Sequence, residues 1–365
     1  MDGGDSLKFE THLTSSPVPD VERAALLAQP GFGQVFTDHM AVVRHTKGKG
    51  WHDARIEPYG PIPLPPSTAV LHYAQEIFEG LKAYHCADGG VSLFRPLSNA
   101  RRFQRSAARM SMPQLPEELF LASLEQLIEI DRAWVPTQEE ASLYVRPFMF
   151  ASEAFLGVRP AYEYLYLVIA SPVGPYFSGG VKPVSVWVSE RYVRAAPGGT
   201  GGAKCGGNYA ASLAAQAEAI EAGCDQVVFL DAVERRWVDE LGGMNVFYVY
   251  DDGTIATPAL TDSILAGITR ESVITLAREA GHEVVERPCS LQEWREGAAS
   301  GRLREVFACG TAAVITPIGT VKSEAGEFTV ADGGTGEVTA KLRARLLDIQ
   351  HARVEDSHGW VHRVG

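Results

Sequence analysis

The chain has 365 residues, 45% of them apolar and 21% charged, with a formal net charge of −12. Single hydrophobic cores stop growing near roughly 250–300 residues, so two domains are the natural expectation. The acidic balance argues against nucleic acid or an anionic membrane as partner, because both need an excess of Lys and Arg; it leaves room for one anion held in a local site.

Five scattered cysteines (86, 205, 224, 289 and 309) form no CxxC, a pattern that suits free thiols in a reducing compartment. The ten histidines do not pair with Cys or Asp at metal-ligand spacing, so no metal site is expected. "MDGGDSLKFETHL" lacks a charged leader followed by an apolar run, and "YLYLVIASPVG" is too short to span a bilayer, which takes about 20 residues. A soluble, cytoplasmic protein is expected.

In chain order, the first 25 or so residues are polar and proline-spotted and read as an arm. "STAVLHYAQEIFEGLKAYHC" mixes short strand-like runs with a turn at Glu79-Gly80. "VSLFRP" reads as a strand and "SNARRFQRSAARM" as a helix, with Ser98 or Asn99 as its N-cap. "LFLASLEQLIEIDRAWV" carries apolar residues at Leu121, Leu124 and Ile128, as a core-facing helix would, and closes before Pro136. "ASLYVRPFMFAS" and "YEYLYLVIAS" are β-rich, and pairing them gives the first domain a sheet.

Pro and Gly crowd "PVGPYFSGGVKP", which reads as the linker. The expected division is a small N-terminal domain over 1–173, a linker over 174–184 and a large C-terminal, cofactor-binding domain over 185–365. The second domain opens with a strand ("VSVWVS"), followed by a glycine–lysine segment and a helix running to Gly223. "DQVVFLD" and "RRWVDE" form a hairpin, and "NVFYVYDDGTIATP" forms another turning at "DDG". "GITRESVITLAREAG" is a helix closed by Gly. "REVFACGTAAVITPIG" is strand, tight turn, strand; "GEVTAKLRARLLDIQ" is a closing amphipathic helix with Val338, Leu342, Leu346 and Ile349 on one face. Frequent hairpins favour two α/β (α+β) domains with mixed, largely antiparallel sheets and flanking helices over a doubly wound parallel sheet.

The segment "GGTGGAKCGGNY" (198–209) sets one lysine, Lys204, among six glycines. A lysine beside glycines is most often a solvated loop residue. A phosphate loop needs Gly before the lysine and a hydroxyl after it, whereas Ala203 and Cys205 stand there. A dinucleotide fingerprint fails as well, because Lys204 itself occupies the third position after Gly201. Covalent chemistry is the remaining reading. A Schiff-base lysine must be partly neutral near pH 7, and bringing its pKa from about 10.4 to ~7–8 takes roughly 3–4 kcal/mol of bias.

Were the ligand pyridoxal phosphate, the chain would need a carboxylate for the ring nitrogen, a donor for the ring oxygen and a phosphate cup. Glu240 in "WVDELGGMNVF" suits the first, although a surface Glu at a strand end is an equal reading. Tyr209 suits the second, against packing under the helix. "LAGITRES" offers the amides of Ile268 and Thr269 at a helix start, where N–H groups favour an anion. Arg102 is a phosphate candidate that nothing local separates from Arg101 or Arg105.

Taken together, "LHYAQEIFEGLKAY", "LFRPLSNARRFQRSAARM", "SLYVRPF", "GGTGGAKCGGNYAAS", "VDELGGMNVF", "LAGITRESV" and "FACGTAAVITP" resemble the branched-chain amino acid aminotransferases of fold type IV, over nearly the whole chain and in their bacterial form. The resemblance implies pyridoxal 5'-phosphate held covalently by Lys204, with Glu240 facing the pyridine nitrogen and Tyr209 the ring oxygen. It implies phosphate binding by Arg102, Ile268, Thr269 and Thr311. Thr311 and Ala312 would offer donors to the substrate α-carboxylate. Phe78, Tyr144 and Tyr176 would line the side-chain pocket, with Tyr73 reaching in from a partner subunit of a homodimer. Arg146 would grip the distal carboxylate of glutamate.

The function so implied is ping-pong transamination between the branched-chain L-amino acids Leu, Ile and Val and 2-oxoglutarate, which becomes glutamate. A D-amino acid aminotransferase or an aminodeoxychorismate lyase of the same fold is the alternative. Two departures stand out: Gly243 where many eukaryotic members carry threonine, and "AAVIT" (312–316) where mammalian members carry a redox CxxC. No thiol switch of that kind is expected.

Overall fold

The computed structural model describes residues 7–174 and 181–365. Its chain divides into two compact units, Met1–Tyr176 with Ile349–Gly365, and Phe177–Asp348.

The first unit carries β1 (Glu10–Thr11), α1 (Asp20–Ala28), β2 (His39–Thr46), β3 (Gly50–Pro58), α2 (Val70–Tyr73), β4 (Glu76–Phe78), β5 (Leu81–His85) and β6 (Val91–Phe94). Then follow α3 (Pro96–Arg109), α4 (Glu117–Ile130), β7 (Ser142–Ala151) and β8 (Glu163–Val173). The expected pairing of the two β-rich runs is the centre of this sheet: β7 and β8 run antiparallel over ten residue pairs, Tyr144 opposite Ser171 and Arg146 opposite Ile169. β8 is buried along nearly its whole length, because both of its faces are covered. On one side the α3 and α4 rings Phe103 and Phe120 meet Tyr166 of β8, centroids 5.7 and 6.3 Å away.

α4 buries Leu119, Phe120, Leu124, Leu127 and Ile128, so its inner stripe runs beside Leu121 rather than through it. α3 starts earlier than its polar residues suggest. Pro96 occupies the first turn, where its missing N–H costs nothing, and Arg95 at φ 52° precedes it. Ser98 and Asn99 therefore lie inside the helix and do not cap it. The N-terminal residues are not merely an arm: β1 pairs parallel with β3, and α1 is a nine-residue helix.

The second unit carries β9 (Val184–Ser189), α5 (Gly206–Ala210), α6 (Leu213–Glu221), β10 (Gln226–Leu230), β11 (Val238–Leu241), β12 (Asn245–Tyr250), β13 (Ile255–Thr257) and α7 (Ile268–Glu279). Next come β14 (Val284–Glu286), α8 (Leu291–Ser300), β15 (Leu303–Gly310), β16 (Val314–Ser323), β17 (Gly326–Thr329) and α9 (Glu337–Gln350). The sheet order is β11-β10-β9-β16-β15-β12-β13-β14, with β17 on β16. All three anticipated hairpins form, β10–β11, β12–β13 and β15–β16, while β9 pairs parallel with β10 and β16. Alternation along β10 fills two cores: Val227 and Phe229 pack with Ala215 and Ala219 of α6, whereas Val228 and Leu230 join the cluster around Trp294 of α8.

The single helix expected up to Gly223 is two, α5 and α6, broken at Ala211-Ser212, where the Ser212 hydroxyl bonds the Tyr209 carbonyl at 2.7 Å. The C-terminal residues also depart from the expected division. β18 (Val361–Val364) pairs antiparallel with β6, so Ile349–Gly365 belongs to the first unit, which is the longer of the two. All five cysteines are buried free thiols. Among the described residues, no helix is long and apolar enough to cross a membrane, and no His/Cys/Asp/Glu cluster could hold a metal ion.

Candidate active site

In the second unit, the glycine–lysine segment crosses from β9 to α5. Gly201 is dictated by close packing: a Cβ there would lie 2.6 Å from both Ala195 Cβ and Ser263 Cα. The glycine thus lets the segment press against the 261–265 loop, a protein contact the sequence does not disclose. Asn208, buried on α5, staples the run from below: its amide donates to the Thr200 and Ala203 carbonyls at 2.8 Å each, and its Oδ1 accepts from the Thr200 hydroxyl at 2.8 Å. Held this way, Lys204 directs its Nζ to the Tyr209 hydroxyl, 2.6 Å away.

Glu240 lies on β11 opposite Phe229 and is 1% exposed. The Leu265 amide donates to its Oε1, and Arg194 Nε lies 2.8 Å from its Oε2. Burial pushes the carboxyl up to about 7, against the pull of Arg194, the Leu265 amide and Lys204 and with a further push from Asp239. Asp239, next along the strand, is itself pushed up to about 6, chiefly by burial and by Asp231.

The remaining predicted residues of this unit lie at a helix start and in a tight turn. Ile268 and Thr269 open the twelve-residue α7 behind Gly267, which contributes no capping side chain. The loop before it is pinned by Asn245, whose Nδ2 donates to the Leu265 carbonyl at 3.1 Å. Thr311 and Ala312 form the tight turn between β15 and β16. Beside that turn, Gly310 abuts Met244, and Gly243 abuts Tyr209: Cβ atoms at the two glycines would lie 3.2 Å from Met244 Cγ and 3.4 Å from Tyr209 Cε1.

The first unit carries the other predicted residues. Tyr144 and Arg146, two apart on β7, share a face, and Arg146 Nη2 donates to the Tyr144 hydroxyl at 3.0 Å. The Arg146 guanidinium stacks over Phe78 of β4, 4.6 Å from the ring centroid, and over Tyr144 at 5.3 Å. Its Nε is buried and has no hydrogen-bond partner among the described residues. Both residues line a cavity of about 220 Å³ with Phe32, Phe36 and Ile169. Gly80 makes room for the arrangement, since a Cβ there would fall 2.1 Å from the Tyr144 hydroxyl.

Arg102 of α3 is set apart from Arg101 and Arg105 by burial: those two are exposed, Arg101 on Glu117 at 3.2 Å, whereas Arg102 is buried against Glu79. Its Nε and Nη2 each donate to Glu79 at 2.8 Å, and Asn99 Nδ2 donates to Glu79 Oε2 at 2.8 Å. Tyr73, on α2, is 41% exposed, with its hydroxyl on the Leu156 carbonyl at 2.6 Å. Tyr176 lies outside the described residues. Sequence reading missed Arg194 and Asn208, whose work is done on backbone carbonyls and on a partner 46 positions away in the case of Arg194 and Glu240, and no local pattern marks either residue.

Comparison with known proteins bears on this geometry. The family model of the class IV amino-transferases matches residues 76–321. The chain is 58% identical over 355 residues to a probable branched-chain-amino-acid aminotransferase of Streptomyces coelicolor, covering 97% of this chain and 98% of the relative. It is 57% identical over 362 residues to the branched-chain-amino-acid aminotransferase of Mycolicibacterium smegmatis, with 98% of each covered. Among solved structures, the branched-chain amino acid aminotransferase of Escherichia coli superposes with a TM-score of 0.74 at 30% identity, over 89% of this chain and 100% of that one. The branched-chain amino acid aminotransferase of Thermobaculum terrenum, solved in its PLP-bound holo-form, superposes with a TM-score of 0.71 at 25% identity, over 89% and 98%. The chain belongs to the branched-chain-amino-acid aminotransferase family of the class IV aminotransferases.

Proposed function

We propose that the protein transfers the amino group between the branched-chain L-amino acids Leu, Ile and Val and 2-oxoglutarate, in two half-reactions at one site, as a cytoplasmic homodimer. The observation that carries this reading is the grouping, in one unit, of a primary amine bonded to a phenol with a fully buried carboxylate bracketed by two donors. Relatives named for this activity, identical at 57–58% over nearly the full chain, support it.

The donor set fits pyridoxal phosphate, the family's cofactor. Lys204 would hold the aldehyde carbon, Tyr209 the ring oxygen and Glu240 the ring nitrogen. The amides of Ile268 and Thr269, the Thr311 hydroxyl and Arg102 would hold the phosphate. A helix start suits a dianion, and an arginine already seated on Glu79 loses little further freedom. Bound there, the group supplies an electrophilic carbon for amines and a cationic ring that draws electron density from the substrate Cα.

The chain's own residues do the rest. With the cofactor bound, Lys204 Nζ would be the base that carries the Cα proton, and Tyr209, 2.6 Å away, would keep that nitrogen aimed. Thr311 and Ala312 orient the α-carboxylate. Phe78 and Tyr144 give an aliphatic side chain an apolar wall; Arg146, whose buried Nε has no partner among the described residues, receives a distal carboxylate. Tyr73, from the second subunit, completes the surroundings of the side chain.

Borohydride reduction of the holoenzyme followed by peptide mass mapping tests the core of this reading. The expected result is a pyridoxyl-phosphate adduct on the peptide containing Lys204; an unmodified peptide from fully loaded protein sinks it. Activity with L-leucine and none with D-leucine is the outcome expected of the substrate assignment.

A further inference from the structure

Arg194 sits in "RYVRAAP", a stretch without a motif, and is 9% exposed. Its three guanidinium nitrogens reach three places. Nε lies 2.8 Å from Glu240 Oε2, Nη1 donates to the Ser263 carbonyl at 3.2 Å, and Nη2 donates to the Gly201 carbonyl at 3.3 Å. Gly201 begins the short run that ends in Lys204. Ser263 lies two residues before Leu265, whose amide occupies the other oxygen of Glu240. One cation therefore ties the lysine-bearing segment and the 261–265 loop to the same buried carboxylate.

Such a carboxylate needs this help. Removing a carboxyl group from water favours its neutral form, and burial holds Glu240 up at about 7 even with Arg194, the Leu265 amide and Lys204 pulling it down. The charged groups facing it are Arg194 and Lys204, which lower it, and Asp239, which raises it. A protonated Glu240 would offer a hydroxyl donor where a ring nitrogen carrying its own proton needs an acceptor.

We infer that Arg194 is a positioning residue for the reaction: through Nε it keeps Glu240 charged and aimed, while Ser263 and Gly201 fix the guanidinium, so that Glu240 can hold the proton on the cofactor's ring nitrogen. This rests on the assignment of Glu240 to that nitrogen. An arginine suits the task because its planar fork serves three acceptors at once and stays charged when buried.

The test compares Arg194→Gln, Arg194→Lys and Glu240→Gln holoenzymes in three readouts. In Arg194→Gln, kcat for leucine is expected to fall roughly a hundredfold, with KM changed by less than about threefold. The pH at which the bound cofactor's visible band titrates is expected to move by about one unit or more. Arg194→Lys, which keeps the charge, is expected to recover most of both. The third readout is taken on apoprotein. The fall in thermal stability as Glu240 loses its proton is expected to lie at higher pH in Arg194→Gln than in the parent, and to vanish when Glu240→Gln is added.

A purely architectural role would lower stability at every pH without moving the band or that window, and this outcome overturns the inference. So does a normal band and rate in Arg194→Gln when Glu240→Gln alters both. Glu240→Gln with parental band and rate would instead overturn the Glu240 assignment. Should Arg194→Gln not fold, Arg194→Lys decides: a band as displaced as that of Glu240→Gln would overturn the charge-holding role, and a near-parental band and stability window support it.

Discussion

Glu79 and Arg102 meet as a two-pronged pair, Nε on Oε1 and Nη2 on Oε2 at 2.8 Å each, with the carboxylate side chain fully buried and the guanidinium side chain 5% exposed. Breaking one side of such a pair strands a charge out of water, which costs about 3–5 kcal/mol, whereas replacing both sides with apolar groups is often neutral. Glu79→Ala is therefore expected to destabilise the apoprotein by about 3–5 kcal/mol in denaturant unfolding, and Glu79→Leu combined with Arg102→Met to restore most of that loss. If Arg102 serves the phosphate, the double variant regains stability but still binds pyridoxal phosphate at least tenfold more weakly, and parental affinity there would remove Arg102 from the phosphate site.

Gly80 and the Tyr144 hydroxyl compete for one volume. A methyl group at residue 80 would lie 2.1 Å from Oη and 2.9 Å from Cζ, so the ring has to turn and abandon its bond from Arg146. Overpacking of this kind typically costs about 1–3 kcal/mol. Gly80→Ala is expected to lower the melting temperature and to raise KM for leucine, and Tyr144→Phe in the same background to recover part of the stability. The glycine of "FEGLKAY" is then a packing requirement of the tyrosine 64 positions downstream.

Arg146 sits against two aromatic faces, and its buried Nε has no hydrogen-bond partner among the described residues. In the role proposed for it, the guanidinium would give an aliphatic substrate a flat surface and a dicarboxylate a charged hydrogen bond, an interaction worth about 1.5–3 kcal/mol. Arg146→Met is expected to cut kcat/KM for glutamate roughly 10- to 100-fold while changing that for leucine only a few-fold. Equal losses for the two substrates in single-turnover assays would contradict the assignment.

What the sequence makes legible follows from where the information lies. Lys204, Tyr209 and the amides of Ile268 and Thr269 stand within a few residues of the glycines and turns that frame them, so their placement can be read locally. The β7–β8 pairing and the three second-unit hairpins are equally local, and they form. Arg194 and Glu79 act on partners 46 and 23 positions away, and what matters in each is burial, which periodicity around a lone charge does not report. The return of β18 to β6 joins residues about 270 positions apart and depends on an edge strand left open by the first unit's sheet. The break between α5 and α6 lies in an alanine-rich run of high helix propensity, where the Ser212 hydroxyl bonds the Tyr209 carbonyl and tertiary context overrides the local preference.

Neighbouring acids on β11 set a pH dependence with a definite sign. Burial raises the Glu240 carboxyl to about 7 and Asp239 to about 6, above their values in an unfolded chain near 4. The folded apoprotein thus binds protons more readily than the unfolded chain, so stability is greatest below about pH 4 as far as these two groups are concerned. It declines as pH rises, through about 6 for Asp239 and about 7 for Glu240. For fully buried Glu240 the decline amounts to on the order of 3 kcal/mol. Apoprotein unfolding followed from pH 5 to 8 is expected to show this loss, with Glu240→Gln flattening its upper part and Asp239→Asn its lower part. A Glu240→Gln profile parallel to the parent's across that range would mean that the carboxylate is already ionised at pH 5 and that its partners fully offset its burial.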